Sequence, residues 1–144
     1  MMVTTSPAEG TAPKPRLYPI VSDNDVVQFR HQVRAAAIAA GLRLIDQTKL
    51  VTAASELARN ALEHGGGGVG EIGVPQTTGR GGVRVLVEDD GPGIADIDLA
   101  LTDGFSRENG MGMGLPGTRR LVDSFDLWSE VDVGTCVIVE KWAL

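Results

Sequence analysis

The chain has 144 residues and a formal net charge of -6. That length fits one domain, and that charge excludes a general nucleic-acid surface, because phosphate binding needs clustered Lys and Arg. Hydrophobic residues make up 42% and aromatic residues 4%, so the core must be mostly Val, Leu, Ile and Ala; the single cysteine, Cys136, excludes an internal disulfide and with two histidines makes a poor zinc set.

The opening Met1-Met2-Val3-Thr4-Thr5-Ser6 has no basic stretch followed by an apolar block, so no signal peptide is expected. The most apolar stretch, Ala35 to Leu42, is far too short to span a bilayer. A soluble, cytoplasmic protein without membrane contact is the expectation. Residues 1–15, rich in Thr, Pro, Ala and Gly, are expected to form a disordered tail, leaving 16–144 as the domain. Arg16 to Val21 suits an edge strand, where Pro19 is tolerable. Ser22 or Asp23 can cap a helix to about Ala40, with Val26, Phe29, Val33 and Ala37 as its apolar face and Gly41 as its stop. A second helix is predicted from about Asp46 to His64, striped by Leu50, Ala54, Leu57 and Ala61 and ended by Gly65-Gly66-Gly67-Gly68.

Glu71 to Val74 suggests a short strand, Gln76 to Gly82 a polar turn, and the alternating Val83 to Glu88 a central strand. Asp89-Asp90-Gly91-Pro92-Gly93-Ile94 follows as a sharp turn. Residues 95–113 are irregular, and so long a segment in a small domain is usually functional. Pro116 suits the first turn of a third helix, through about Asp123. Phe125 to Glu130 and Thr135 to Trp142 form a last hairpin around Asp132 to Gly134; Cys136 falls there as a small apolar strand residue. The predicted order is βααββαββ: an α/β chain in the α+β sense, a two-layer sandwich whose mixed sheet is covered on one face by helices.

Three constellations carry chemistry. Glu56 and Asn60 lie four apart on one helix and so stand side by side. A carboxylate can take a proton from a hydroxyl, and an amide oxygen is a hard ligand suited to Mg²⁺; the plain alternative is a solvated face with a Glu56–Arg59 pair. Asp89-x-Gly91-x-Gly93 follows a strand directly, where an acid can accept from an exocyclic amino group and glycines let the backbone approach a ligand; a simple type I or II turn is the alternative. Gly110-Met111-Gly112-Met113-Gly114-Leu115 leads into the third helix, where backbone N–H groups favour phosphate oxygens; a flexible linker would look similar. Gly112 to Gly117 also matches GxGxxG, but no strand precedes it, so a Rossmann context fails. No Lys follows any glycine run, which excludes a P-loop, and eukaryotic-type kinase signatures are missing.

In this order and spacing the motifs resemble the N, G1 and G2 boxes of the GHKL ATPases and kinases, with Glu56…Asn60, Asp89…Gly93 and Gly110…Gly114 in those places and Gly134-Thr135 fitting the family's last strand. Asp46-Gln47-Thr48-Lys49, Ser55 to Asn60 and Gly112 to Gly117 are most similar to the bacterial anti-sigma regulatory kinases, in particular the stressosome switch kinases of the RsbT type; the resemblance covers residues 16–142. It implies the Bergerat ATP-binding fold and an ATP- and Mg-dependent serine/threonine kinase acting on a STAS-domain antagonist or scaffold protein. A PP2C-type phosphatase or a sigma factor is a further possible partner. It also implies Asn60 as the Mg²⁺ ligand, Asp89 at the adenine amino group and Glu56 as general base. Gly91 and Gly93 would shape the adenine pocket, with Ile94, Leu115 and Thr135 beside the nucleotide. Gly110, Gly112 and Gly114 would cradle phosphates under a lid of residues 95–113, from which Arg107 could reach the terminal phosphate. His64 carries no role beyond that of a helix-end histidine.

Histidine kinases add a dimerising helical pair, for which residues 1–15 are expected to leave no room, and chaperone, mismatch-repair and topoisomerase relatives add further domains that are not expected here. The competing reading is a non-enzymatic, ATP-gated module that holds a sigma factor or activates a phosphatase.

Overall fold

The computed structural model describes residues 16–102 and 114–144; the expected tail over 1–15 lies outside them. Strand β1 (Arg16–Ile20) leads into helix α1 (Asp23–Ala39), which packs beside helix α2 (Leu44–Glu63). Strands β2 (Gly68–Gly73) and β3 (Gly82–Asp89) follow, then a one-turn helix α3 (Ile97–Ala100), helix α4 (Gly114–Arg120), and the hairpin of β4 (Ser124–Glu130) and β5 (Gly134–Trp142). The short α3 turn is an addition to the predicted order. It forms because the Asp96 carboxylate accepts the Leu99 N–H at 3.0 Å and caps it.

The five strands form one sheet in the order β1-β2-β3-β5-β4, and every pairing is antiparallel. The expected mixed sheet is therefore corrected to an antiparallel one, still in two layers. The long α1–α2 excursion ends with β2 entering beside β1 in the opposite direction, so no parallel neighbour is created.

One sheet face carries the helices. Val83, Val85 and Val87 of β3 and Val137 and Val139 of β5 meet Leu50, Ala54, Leu57, Ala58 and Ala61 of α2 in the core. Phe29 of α1 is fully buried and stacks obliquely on Tyr18 of β1, with ring centroids 5.7 Å apart. Ser22 caps α1 by accepting the Asp25 N–H, and Gly41, at φ +81, closes it while Leu42 N–H reaches back to Ala37 O. The second helix begins two residues earlier than its sequence suggests, at Leu44. Asp46 in its first turn is nearly buried, taking Arg43 and facing Lys141 of β5 at 3.6 Å.

On the opposite face Glu140 is 1% exposed yet fully engaged. Its carboxylate accepts the Gln76 N–H at 2.8 Å, the Thr77 hydroxyl at 2.5 Å and the Trp142 indole N–H at 3.0 Å. Burial pushes its carboxyl up, but those bonds outweigh it and hold the group below the usual carboxylate range. Glu140 thereby pins the polar loop between β2 and β3.

Candidate nucleotide site

The last turn of α2, the end of β3 and the start of α4 converge on a cavity of about 530 Å³, a size suited to a small-molecule ligand. Leu57, Val87, Ile94, Leu115 and Val137 give it apolar walls, and Asn60, His64, Asp89, Asp96 and Thr135 are its polar groups. Of the residues singled out in the sequence, Asn60, Asp89, Gly93, Ile94, Gly114, Leu115 and Thr135 meet there. Arg107, Gly110 and Gly112, like the rest of 103–113, lie outside the described residues. The described start of the expected lid contributes Ala95, Asp96, Leu99 and Ala100 to the cavity wall.

Asp89 ends β3, directly opposite Thr135 in the ladder to β5. Its carboxylate accepts the Gly91 N–H at 2.8 Å, which folds the chain into the following turn. Burial pushes the Asp89 carboxyl up, and the negative charge of Asp90 adds to this. Bonds from the Gly91 and Thr135 backbones and the nearby His64 oppose it, and the net shift is upward.

The glycines of this turn serve the protein's own packing first. A Cβ on Gly65 would come within 2.3 Å of Asp89 Cγ, and one on Gly91 within 2.5 Å of Gly65 Cα. Gly93, at φ +78, lies against the β4–β5 turn, where a Cβ would meet Glu130 O at 2.3 Å. The turn is also held by Asp132 N–H donating to Pro92 O at 2.9 Å. Ser129 completes the clamp. Its Oγ accepts the Ile94 N–H at 2.8 Å, donates to Gly134 O at 3.0 Å and shares a 2.9 Å bond with Thr135 Oγ1.

Glu56 stands apart from this group. It is 5% exposed, its Oε1 lies 3.3 Å from Arg59 Nη1, and it is not among the described cavity-lining residues. The pair with Arg59 is as the helical spacing allows, but the carboxylate is buried rather than solvated. Gly91 sits in the turn without lining the cavity.

His64, Gly65, Asp96 and Ser129 are the site residues that sequence reasoning missed. His64 had a signal, because it lies four residues beyond Asn60 and so on the same helix face. Gly65 was absorbed into a helix stop. Ser129 acts on a loop 35 positions away, which no local pattern reveals.

Comparison with known proteins follows the same lines. The profile of the "Histidine kinase-, DNA gyrase B-, and HSP90-like ATPase" family matches residues 45–143. The chain is 42% identical over 125 residues to the serine/threonine-protein kinase RsbT of Bacillus subtilis (strain 168), covering 85% of this chain and 92% of that protein. A crystal structure of the RsbU and RsbW domains of a Mycobacterium tuberculosis protein superposes with a TM-score of 0.61 at 21% identity. The match spans 98% of this chain and 33% of that one, and it speaks for the fold alone.

Proposed function

Because this chain belongs to the histidine kinase-, DNA gyrase B-, and HSP90-like ATPase family and is a serine/threonine-protein kinase, we propose that it transfers the γ-phosphoryl group of ATP to a Ser or Thr hydroxyl of a STAS-domain regulatory protein in a partner-switching pathway. The observation that carries this reading is the convergence of Asn60 and Asp89 on one cavity from two different elements.

Asp89 offers an acceptor to the adenine amino group, while Val87, Ile94, Leu115 and Val137 bury the ring between apolar walls. Thr135 adds a hydroxyl whose position is set by Ser129. Asn60 offers one hard amide oxygen toward the phosphates, and among the described residues no cluster of three or more His, Cys, Asp or Glu could hold a metal. That donor set fits Mg²⁺, which takes most of its ligands from phosphates and water and few from protein. Bound there, Mg²⁺ would neutralise charge on the phosphates.

Glu56, one turn before Asn60, is the proposed base. The partner's hydroxyl oxygen bonds to the γ-phosphorus as the bond to the β–γ bridging oxygen breaks. The hydroxyl proton passes to the Glu56 carboxylate, and ADP leaves. In the structure this carboxylate faces Arg59, so the base role requires it to turn toward the incoming hydroxyl. The competing reading, ATP-gated binding of a sigma factor or a PP2C-type phosphatase without phosphotransfer, would use the same nucleotide cavity. A cytoplasmic location belongs to this proposal; among the described residues no helix is long and apolar enough to cross a membrane.

The test is incubation with γ-labelled ATP, Mg²⁺ and STAS-domain proteins of the same host, followed by mapping of the labelled residue. Label on a Ser or Thr of a STAS protein supports the reading; label on none of them contradicts it.

A further inference from the structure

Among the described residues, no helix or strand packs on the face of the sheet turned away from the helices; only the β2–β3 loop held by Glu140 lies on one end of it. Strand alternation places Val85, Val87, Val137 and Val139 in the core, so Leu86, Glu88, Cys136 and Ile138 point the other way. The register continues this surface across the sheet: Trp128 lies opposite Cys136, Cys136 opposite Glu88, and Glu88 opposite Val69. In the next row Ile138, Leu86, Glu71 and Leu17 follow one another. Trp128 is 52% exposed, Leu17 65% and Val69 38%. An apolar band of this extent on a small domain marks an interaction surface more often than an accident of composition.

Away from the Glu140 end of the face, where Arg84 turns to Glu140 and Arg80 lies over the Trp142 ring, its charges are of one sign. Glu71, Glu88 and Asp126 project from the same face, and among the described residues none of these carboxylates has an ion pair. The nearest cation on this face, Arg84, is mostly buried and turned to Glu140 at 3.9 Å. Glu88 and Glu71 both act on Cys136, whose thiol is pushed up chiefly by burial, with Glu88 adding to it. The carboxylates therefore lie amid the apolar side chains.

We propose that this open sheet face docks a protein partner that presents an apolar ridge flanked by Lys and Arg. Charge complementarity decides among occupants. Anionic lipid and nucleic acid would meet the three carboxylates with like charge. A second copy joined by a two-fold axis would lay this acidic patch on itself. A basic, apolar protein surface satisfies both features at once. The cavity is lined from the other side of the same strands, by Val87, Asp89, Thr135 and Val137, so partner and nucleotide can be bound together. The proposal is independent of the phosphotransfer reading.

The experiment titrates the ¹⁵N-labelled chain with an amphipathic Leu/Lys helical peptide and with a Leu/Glu peptide of the same apolar face. Amide shifts should concentrate at Leu86, Glu88, Trp128 and Ile138 with the Leu/Lys peptide and be absent with the Leu/Glu one. Glu71→Lys with Glu88→Lys should weaken binding at least about tenfold, and added salt should weaken it further. Asp23→Lys with Glu63→Lys, the same charge change on exposed helix positions, should leave it unchanged. If the lysine pair lowers the melting temperature, Glu71→Gln with Glu88→Gln replaces it and should give a smaller loss. No binding, equal binding of both peptides, shifts confined to the helices, or equal loss in the helix-layer variant would each overturn the proposal. So would a dimer of the chain that Trp128→Lys dissolves.

Discussion

Gly65→Ala is a one-methyl perturbation of nucleotide binding made from outside the recognised motifs. A Cβ at this position would stand 2.3 Å from Asp89 Cγ, 2.6 Å from its Cβ and 2.7 Å from its Oδ1. The short Asp89 side chain cannot step aside without leaving its bond to Gly91 N–H. Gly65 is not among the positive-φ residues, so alanine is acceptable to the backbone and the strain falls on Asp89. Overpacking of this kind costs about 1–3 kcal/mol of stability, which a domain of ordinary stability survives. Displacing Asp89 removes a hydrogen bond between a charged acceptor and the adenine amino group, worth about 1.5–3 kcal/mol. That is roughly a 10- to 150-fold loss of ATP affinity. Calorimetric titration with ATP, beside a thermal melt, measures both effects. Gly66→Ala is the control: its φ is +75 but a Cβ there meets nothing within 4 Å, so it should lose about 1 kcal/mol of stability and no affinity. ATP binding by Gly65→Ala at wild-type strength would refute the placement of Asp89 at the adenine.

Other outcomes follow from the same geometry. The wild type should prefer ATP over GTP by about 10⁴ or more, because guanine sets a carbonyl against the Asp89 carboxylate; equal calorimetric affinities would contradict this. Asn60→Ala should fold normally but lose Mg-dependent ATP binding, read as the difference between titrations with Mg²⁺ and with EDTA. Asp89 carries a raised carboxyl pKa, chiefly from burial. Its contribution to stability is therefore full below the ordinary carboxylate pKa and lost as pH rises through the raised value. Asp89→Asn should accordingly melt higher than wild type at pH 7, with the advantage gone below about pH 3.9. Glu140 is the opposite case: its carboxyl is held low, so its contribution is present above the ordinary value and lost as pH falls. Glu140→Ala should cost about 2–4 kcal/mol at pH 7 in denaturant melts, with three donors left unpaired, and the gap should narrow in acid.

Much of this was legible in the sequence because it is local. The Ser22 cap, the Gly41 stop and the apolar stripe of α2 follow from residues three or four apart. Asn60 and Asp89 stand out as candidates from their spacing to Glu56 and to Gly91 and Gly93, Thr135 only through the family resemblance, and all three line the cavity. What escaped notice is non-local. Ser129 reaches Ile94, and Glu140 reaches Gln76 across 64 positions. The sheet's direction depends on how β2 re-enters beside β1, which no strand pattern encodes. Gly65 looked like a helix terminator, and its closeness to Asp89 is a product of tertiary packing. Glycines 91 and 93 were expected to make room for a ligand; in the fold they make room for Gly65 and for Glu130.

The kinase reading rests most directly on the rate at which phosphate leaves ATP for a protein hydroxyl. Single-turnover transfer from γ-labelled ATP to a STAS-domain partner should be measured for wild type and for Glu56→Gln, which keeps the shape and removes the basicity. The wild type should label a Ser or Thr of the partner. The variant should bind ATP and partner about equally well yet transfer at least about 10²-fold more slowly, the share a positioned base contributes. Equal rates would remove Glu56 from the mechanism, and a wild type that labels no STAS-domain protein it binds would contradict phosphotransfer to such a partner.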